Sequence, residues 1–445
     1  MTAALVAFAL VIGLSFFGVR IAFAALLVGF GGVALERGVN AAFTMLGQQV
    51  LEDAMNYNLS VIPLFVLMGT FIYRSGISAD LFKTANQALS RVSGRLAHST
   101  ILACAGFSAV CGSSLATAAT MSKVCIPPMR QFGYSRSLAS GAVAAGGTLG
   151  IMIPPSVPLV IYGLIAQQDI ADLFLAGVVP GLLLVLSFLI VITLWVAFFP
   201  NAAPKMAEAS DPATLPDPEA VVPPEDEAPQ PKRALFSVLA VLGLFILVLG
   251  GIYGRIFTPT EASGIGAVGA AIIALSRGHL LNLGEWIDAL SETVVTTASL
   301  FMVLFGALVF LQYITLTGMP YDLLFWVDDM NLSPFLLVLM VIALALVMGT
   351  VFEAIGILLL LVPVFLPALE ASGVDLIWFG ILVVLVIEMG LITPPIGMNV
   401  FVVKSISQDI EISKIFQGVL PFILAMFFVL TALLVVPDIV LFLIE

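Results

Sequence analysis

Two short runs hold the residues best suited to chemistry. The first is Gly146-Gly147-Thr148-Leu149-Gly150-Ile151-Met152-Ile153-Pro154-Pro155, and the second is Glu388-Met389-Gly390-Leu391-Ile392-Thr393-Pro394-Pro395-Ile396-Gly397. Each interrupts an apolar stretch that otherwise reads as a membrane helix. Paired prolines remove two amide donors and free the carbonyls one turn earlier. Glycine lets the chain unwind and lets a ligand approach the backbone. Freed carbonyls joined by hydroxyls, deep in an apolar medium, make an oxygen cage for a hard cation such as Na⁺. One proline kink is ordinary in a membrane helix. Two matching breaks, each following a polar turn, argue for a built site.

The hydroxyls come from those turns. An apolar segment of about 25 residues lies between two basic flanks. One flank, 74–98, carries Arg74, Lys83, Arg91 and Arg95, and the other, 121–137, carries Lys123, Arg130 and Arg136. Basic loops are cytoplasmic, so both flanks lie on one side. A single crossing would emerge on the wrong side. A re-entrant hairpin over about 98–121, turning at Gly112-Ser113-Ser114, fits the charges. The second half repeats the plan over about 334–370, turning near Gly349-Thr350-Val351-Phe352-Glu353. Non-helical backbone at membrane depth is tolerated only where protein or a water-filled site covers it. Gly-Ser-Ser also makes an ordinary turn. Glu353, costly in a membrane unless paired or functional, reads equally as cation or substrate chemistry and as a buried structural hydrogen bond. Glu388, two residues before Gly390, poses the same choice.

The elements around these runs form a repeat. Gly150, Pro154, Pro155, Val160, Gln168, Asp169 and Ile170 recur 240 positions later as Gly390, Pro394, Pro395, Val400, Gln408, Asp409 and Ile410. Pro127 and Gly133 pair with Pro367 and Gly373 at the same offset. The charge bias reverses between copies. Residues 317–333 contain Asp322, Asp328 and Asp329 but no Lys or Arg, and 361–377 contain only Glu370 and Asp375. Past the second break lie Lys404 and Lys414, where the first copy has no basic residue. The halves are therefore expected upside down to each other, the plan of many secondary transporters. The predicted organisation is a first repeat over 1–199, with a broken helix at 137–165. A Pro-rich acidic cytoplasmic linker follows at 200–233. The second repeat covers 234–445, with a broken helix at 376–403.

Composition sets the class. The chain has 445 residues, 61% hydrophobic and only 10% charged, against roughly a quarter charged in soluble domains. Apolar runs of about twenty residues recur throughout, each able to cross a bilayer as a helix. The expectation is an all-α polytopic membrane protein of about ten transmembrane helices plus two re-entrant hairpins, multi-pass in a bacterial inner membrane. The first segment lacks a basic n-region and a small-residue cleavage site, so it reads as a membrane helix. No basic patch interleaved with aromatics exists, which argues against a nucleic-acid partner. Cys104, Cys111 and Cys125 form no CxxC pair and read as small buried hydrophobes. His98 and His279 stand at segment ends and read as interfacial. Arg20, between two short helices, reads as a cytoplasmic turn marker. No P-loop supports an ATP-driven pump. A Gly-x-Ser protease would need a facing histidine, and neither His98 nor His279 is placed for that.

The tip Cys111-Gly112-Ser113-Ser114-Leu115-Ala116-Thr117, the Ile153-Pro154-Pro155 and Thr393-Pro394-Pro395 breaks and the Pro363/Pro367 hairpin arm resemble the large membrane subunit of tripartite ATP-independent periplasmic (TRAP) transporters. The resemblance covers nearly the whole chain except the linker. It implies a Na⁺-driven elevator-type importer of a small carboxylate. It also implies two partners, a small four-helix membrane subunit and a periplasmic substrate-binding protein. Carried over residue by residue, a first Na⁺ site would take oxygens from Ser113, Ser114, Gly150, Ile153 and Pro155. A second would use Gly349, Thr350, Glu353, Gly390, Thr393 and Pro395. Substrate contacts would fall on Gly112, Ser114, Thr117, Glu353 and Gly397. The rival expectation is a standalone ion-coupled carboxylate elevator that needs no binding protein.

Overall fold

The computed structural model describes residues 2–204 and 231–444, and these are helical throughout apart from short connections. The expected linker lies mostly outside the described residues. Of its ends, Pro200–Ala202 forms a short 3₁₀ turn and Pro231 begins a helix.

The first half runs α1 (Thr2–Phe16), α2 (Ile21–Arg37), α3 (Val39–Met55), α4 (Val61–Arg74), α5 (Ile77–Ala88), α6 (Arg95–Cys111), α7 (Ser114–Gln131), α8 (Arg136–Met152), α9 (Val157–Ala166) and α10 (Ile170–Phe198). The second half runs α11 (Pro231–Tyr253), α12 (Pro259–Ser276), α13 (Leu283–Leu316), α14 (Met319–Asp329), α15 (Pro334–Gly349), α16 (Ala354–Ala371), α17 (Leu376–Gly390), α18 (Met398–Ile406), α19 (Ile412–Val435) and the short α20 (Asp438–Leu441). Among the described residues, 8 helices are long and apolar enough to cross a membrane. Helices α1 and α2, with 15 and 17 residues, are shorter than those spans, reaching about 22 and 25 Å at 1.5 Å per residue. Leu182, Leu186, Ile190 and Leu194 form an exposed stripe along α10. Apolar side chains facing outward at helical spacing are what a bilayer solvent allows and water does not.

Both halves contain a helix hairpin followed by a broken helix. In the first hairpin, Gly112 ends α6 in the left-handed region at φ 64°, and the Ser113 hydroxyl caps α7 by accepting from the Ala116 amide. The arm α7 continues past the expected end near 121 to Gln131, taking in Lys123 and Arg130. Pro127 and Pro128 are accommodated inside it. The second hairpin pairs α15 with α16, and Glu353 occupies the N-cap position without a side-chain capping bond.

The breaks follow from the local sequence. Helix α8 stops at Met152 because Pro154 and Pro155 offer no amide to continue the ladder. Ser156 then caps α9, accepting from Leu159, and Pro158 occupies its first turn. Helix α17 stops at Gly390, and α18 restarts after Gly397 at φ 64°. Both Pro-Pro bonds are cis. The broken helices form the middle of the molecule: every residue from Leu138 to Met152 and from Trp378 to Gly390 is buried. Small residues allow this density. Gly141 of α8 meets Gly418 of α19 backbone to backbone, and the ring of Tyr162 lies over Gly380 while its hydroxyl donates to the Leu376 carbonyl at 2.5 Å.

A second layer holds α2, α4, α12 and α13 together. Gly29 and Gly32 of α2 sit on Phe310 and Tyr313 of α13, and Gly306 sits on Ala22. At one end, Arg74 of α4 forms an ion pair with Glu292 of α13 at 2.9 Å. Nearby in the chain, Arg277 pairs with buried Asp80 at 2.7 Å and donates to the Ser75 carbonyl, while Ser237 donates to the same Asp80 carboxylate. His98, in the first turn of α6, is buried within the protein. It is 5% exposed, with its ring nitrogens 3.1 Å from the Gly94 carbonyl and 3.0 Å from the Thr193 hydroxyl. The α6 helix face that starts the hairpin packs on α10, which covers the imidazole.

Candidate functional site

The first tip and the first break touch through their backbones. A methyl group placed on Gly150 would lie 2.7 Å from the Ser113 carbonyl oxygen and 3.0 Å from the Ser114 amide. One placed on Gly112 would lie 2.7 Å from the Pro155 carbonyl oxygen. Glycine is thus required at both positions for the tip to reach the break. The contact brings the Ser113 and Pro155 carbonyl oxygens to one crossing, where Pro154 and Pro155 contribute no amide. Pro154, Pro155 and Ser156 are buried there.

The second tip meets its break in the same way. A methyl group on Gly390 would lie 2.5 Å from the Gly349 Cα and 3.1 Å from its carbonyl oxygen. The Gly397 amide donates to the Thr350 carbonyl at 3.2 Å, tying the tip to the start of α18. The Thr393 hydroxyl donates to Met389 at 2.6 Å and the Thr350 hydroxyl to Val347 at 2.8 Å, which leaves the lone pairs of both available. The halves are not equivalent: Pro394 and Pro395 are exposed, whereas Pro154 and Pro155 are buried. Both crossings present carbonyl and hydroxyl oxygens, a donor set that fits a small hard cation. Among the described residues no group of three His, Cys, Asp or Glu side chains gathers for a metal ion.

A cavity of about 300 Å³ joins the two tips. Its inner end is formed by Cys111 through Ala116 of the first tip, Glu353 and Ala354 of the second, and Leu391 of the second break. From there it runs as a groove. Ala116, Ala119, Thr120 and Lys123 line one wall at the spacing of one α7 face, and Val66, Gly69, Thr70 and Tyr73 of α4 line the other with Glu292, Thr296 and Leu300 of α13. Seven residues separate Ala116 from Lys123, roughly two helical turns or 10 Å. The groove leads from the tips toward the end marked by Arg74 and Glu292.

Several expected substrate residues take specific places. Gly112, Ser114 and Glu353 lie on the cavity wall, together with Ser113, expected as a Na⁺ ligand. Thr117 does not. It faces the interior of the hairpin, 0% exposed with its hydroxyl unpartnered, because α7 turns Thr120 toward the groove instead. Gly397 is also absent from the wall and serves the second tip through its amide. One Glu353 oxygen is buried without a hydrogen-bond partner. Arg20 stands close enough to act on that carboxylate, and Ile21 packs against Gly356 one turn into α16. Arg20, in the turn between α1 and α2, is thus within electrostatic reach of the second tip, without an ion pair to it among the described residues. Sequence reasoning passed over Asn399 altogether. Its side-chain amide donates to Ser114 at 2.7 Å and to the Ala144 carbonyl at 3.4 Å, joining α18 to the first tip and to α8. Its position four residues after the second Pro-Pro step, beside a glycine-rich break, was the available signal.

Paired helix hairpins and broken helices around a shared cavity, in a chain of apolar spans, define a membrane transport protein. The comparisons with known proteins agree. The model of the family described as "Tripartite ATP-independent periplasmic transporter, DctM component" matches residues 1–439. A C4-dicarboxylate TRAP transporter large permease protein of Pseudomonas aeruginosa is 33% identical, over 88% of this chain and 87% of its own. A sialic acid TRAP transporter large permease protein of Vibrio cholerae is 32% identical, over 98% and 96%. The crystal structure of the Alcanivorax borkumensis YdaH transporter shares the fold at a TM-score of 0.63 and 16% identity, covering 90% of this chain and 88% of that one. The chain belongs to the large permease family of the TRAP transporters, and is a multi-pass protein of the inner membrane.

Proposed function

We propose that this subunit imports a small carboxylate by Na⁺-coupled, elevator-type movement, together with a small four-helix membrane subunit and a periplasmic substrate-binding protein. The observation that carries the reading is the pair of backbone crossings at the inner end of one cavity. Gly150 lies against the Ser113 carbonyl and Gly390 against Gly349, and Ser114 and Glu353 of the same two tips line the cavity. The oxygens of Ser113, Ser114, Gly150, Ile153 and Pro155 would hold one Na⁺, and those of Gly349, Thr350, Glu353, Gly390, Thr393 and Pro395 a second. A bound Na⁺ would supply the positive charge that draws a carboxylate to a site walled mainly by apolar groups.

The groove supports the elevator reading. One wall belongs to the hairpin arm α7 and the other to α4 and α13, so motion of the hairpins along that second layer would carry the tips past it. Reversed Lys/Arg bias between the halves supports an inverted repeat with the linker and the Arg74 end in the cytoplasm. In that orientation the cavity opens inward. The acidic, Lys-free loops at Asp322, Asp328 and Asp329 would face the periplasm and repel a free anion. A binding protein delivers the anion enclosed, and basic residues on its docking face would complement that surface.

The test is uptake of labelled carboxylates into proteoliposomes. With both membrane subunits present, uptake should be negligible until the binding protein is added, and should then require an inward Na⁺ gradient. Robust Na⁺-driven uptake by the membrane subunits alone would favour a standalone carrier and refute the tripartite reading.

A further inference from the structure

We propose that Glu388, Asn399 and Ser114 form a third cation position, buried at the seam where the second broken helix meets the first hairpin tip. This rests on the Na⁺-coupled reading above and extends it.

Glu388 is 0% exposed, and both of its carboxylate oxygens lack a hydrogen-bond partner. Among the described residues no lysine or arginine pairs with it. A lone buried carboxylate is strongly disfavoured unless a counter-charge or a proton meets it. Asn399 is also 0% exposed, and its Oδ1 is unpartnered. Its orientation is fixed chemically: the Ala144 carbonyl only accepts, so the NH₂ group must face it. That turns Oδ1 away from both of its hydrogen-bond partners. The Asn399 backbone amide donates to the Leu391 carbonyl at 3.0 Å, holding it within a turn of Glu388. Ser114 faces both side chains, accepting from Asn399 at 2.7 Å and standing against Glu388.

Three acceptor atoms short of donors thus lie on two side chains that both meet the Ser114 hydroxyl, which accepts from Asn399 and has only its one proton to offer Glu388; the cluster joins three helices and both halves of the chain. A water molecule could satisfy some of them but brings no charge. A small monovalent cation satisfies the acceptors and the carboxylate together. Ser114 and Leu391 both line the cavity, so the position lies directly behind its wall. It differs from the first crossing in having a carboxylate of its own, and from the second in that this carboxylate is fully buried. Because Asn399 and Glu388 belong to the second half and Ser114 to the first tip, filling it would fasten the halves across the seam.

The experiment is equilibrium binding of radioactive Na⁺ to the purified full-length chain, which needs no transport. Wild type should bind three equivalents and Glu388→Gln two, with the mixture checked for folding by size exclusion. Glutamine matches a protonated carboxyl in shape, so an unchanged count in Glu388→Gln would overturn the proposal in favour of a neutral structural acid. Two equivalents in wild type would overturn it while leaving the Na⁺-coupled reading intact. No Na⁺ bound by wild type would overturn both. Should Glu388→Gln not fold, the wild-type count decides, together with Asn399→Ala, which should lose the same equivalent.

Discussion

The contact between Gly150 and the first tip can be tested with a single methyl group. In Gly150→Ala the new carbon would lie 2.7 Å from the Ser113 carbonyl oxygen, 2.8 Å from its carbon and 3.0 Å from the Ser114 amide. Ordinary contact begins near 3.4 Å, so from 2.7 Å the tip must retreat by about 0.7 Å. All three atoms are backbone, so no side chain can swing aside. Overpacking of this kind costs roughly 1–3 kcal/mol, and alanine returns about 1 kcal/mol of helix propensity inside α8. The net loss of stability should be roughly 0–2 kcal/mol. Ion binding should suffer more, because the displaced carbonyl belongs to the proposed cage. We expect the Na⁺ concentration for half-maximal uptake to rise about tenfold, equal to about 1.4 kcal/mol. The control is Gly243→Ala, where no atom lies within 4 Å of the added carbon. Thermal unfolding and Na⁺ titration of uptake should separate the two variants. If both keep the wild-type Na⁺ response, the tip and break do not share an ion and the reasoning fails.

Other outcomes follow from the same geometry. Pro155→Ala and Ser114→Ala should each weaken the Na⁺ dependence of uptake, and full uptake on a proton gradient in Na⁺-free buffer would contradict the coupling. Asp80→Ala should destabilise the protein by about 3–5 kcal/mol, since it strands the Arg277 guanidinium, and thermal unfolding should show Asp80→Ala/Arg277→Met recovering much of that loss. Arg74→Ala should cost no more than about 1 kcal/mol by the same measurement, because its partner Glu292 is 42% exposed. A cysteine at Ala213, in a background without Cys104, Cys111 and Cys125, should resist an impermeant reagent added to whole cells. Ready labelling would reverse the proposed orientation.

The local features were legible because they are written in residues with few conformational options. Gly112 can end α6 at φ 64° where other residues would be strained, and the prolines at 154–155 and 394–395 can only interrupt a ladder. Helix ends were less legible. Lys123 and Arg130 suggested that the first hairpin stopped early, yet α7 carries both, because charged side chains can line a groove without ending a helix. Contacts between halves were not legible at all. Asn399 reads as one polar residue among many, and only the fold brings it to Ser114, 285 positions away. Within the first half, the packing of α10 over His98 was equally hidden, since position along the chain suggested an interface. The repeat also suggested two matching sites, but burial differs between them because different neighbours cover each break.

The bond between Ser114 and Asn399 also bears on how the chain is made. Its two ends lie 285 residues apart, and at roughly 5–20 residues per second a ribosome needs about 15–60 s to cover that distance. Throughout that interval the first tip is already synthesised but lacks the amide that will hold its hydroxyl. Gly141 likewise awaits Gly418, so α8 has no partner for the face that crosses α19. The first half therefore cannot reach its final state while the second is still being translated. Its unfinished seam must be shielded in the meantime, by lipid or by the insertion machinery. The halves are accordingly not two modules joined by a tether. Co-expressed as separate polypeptides, they should accumulate together, and either alone should be degraded.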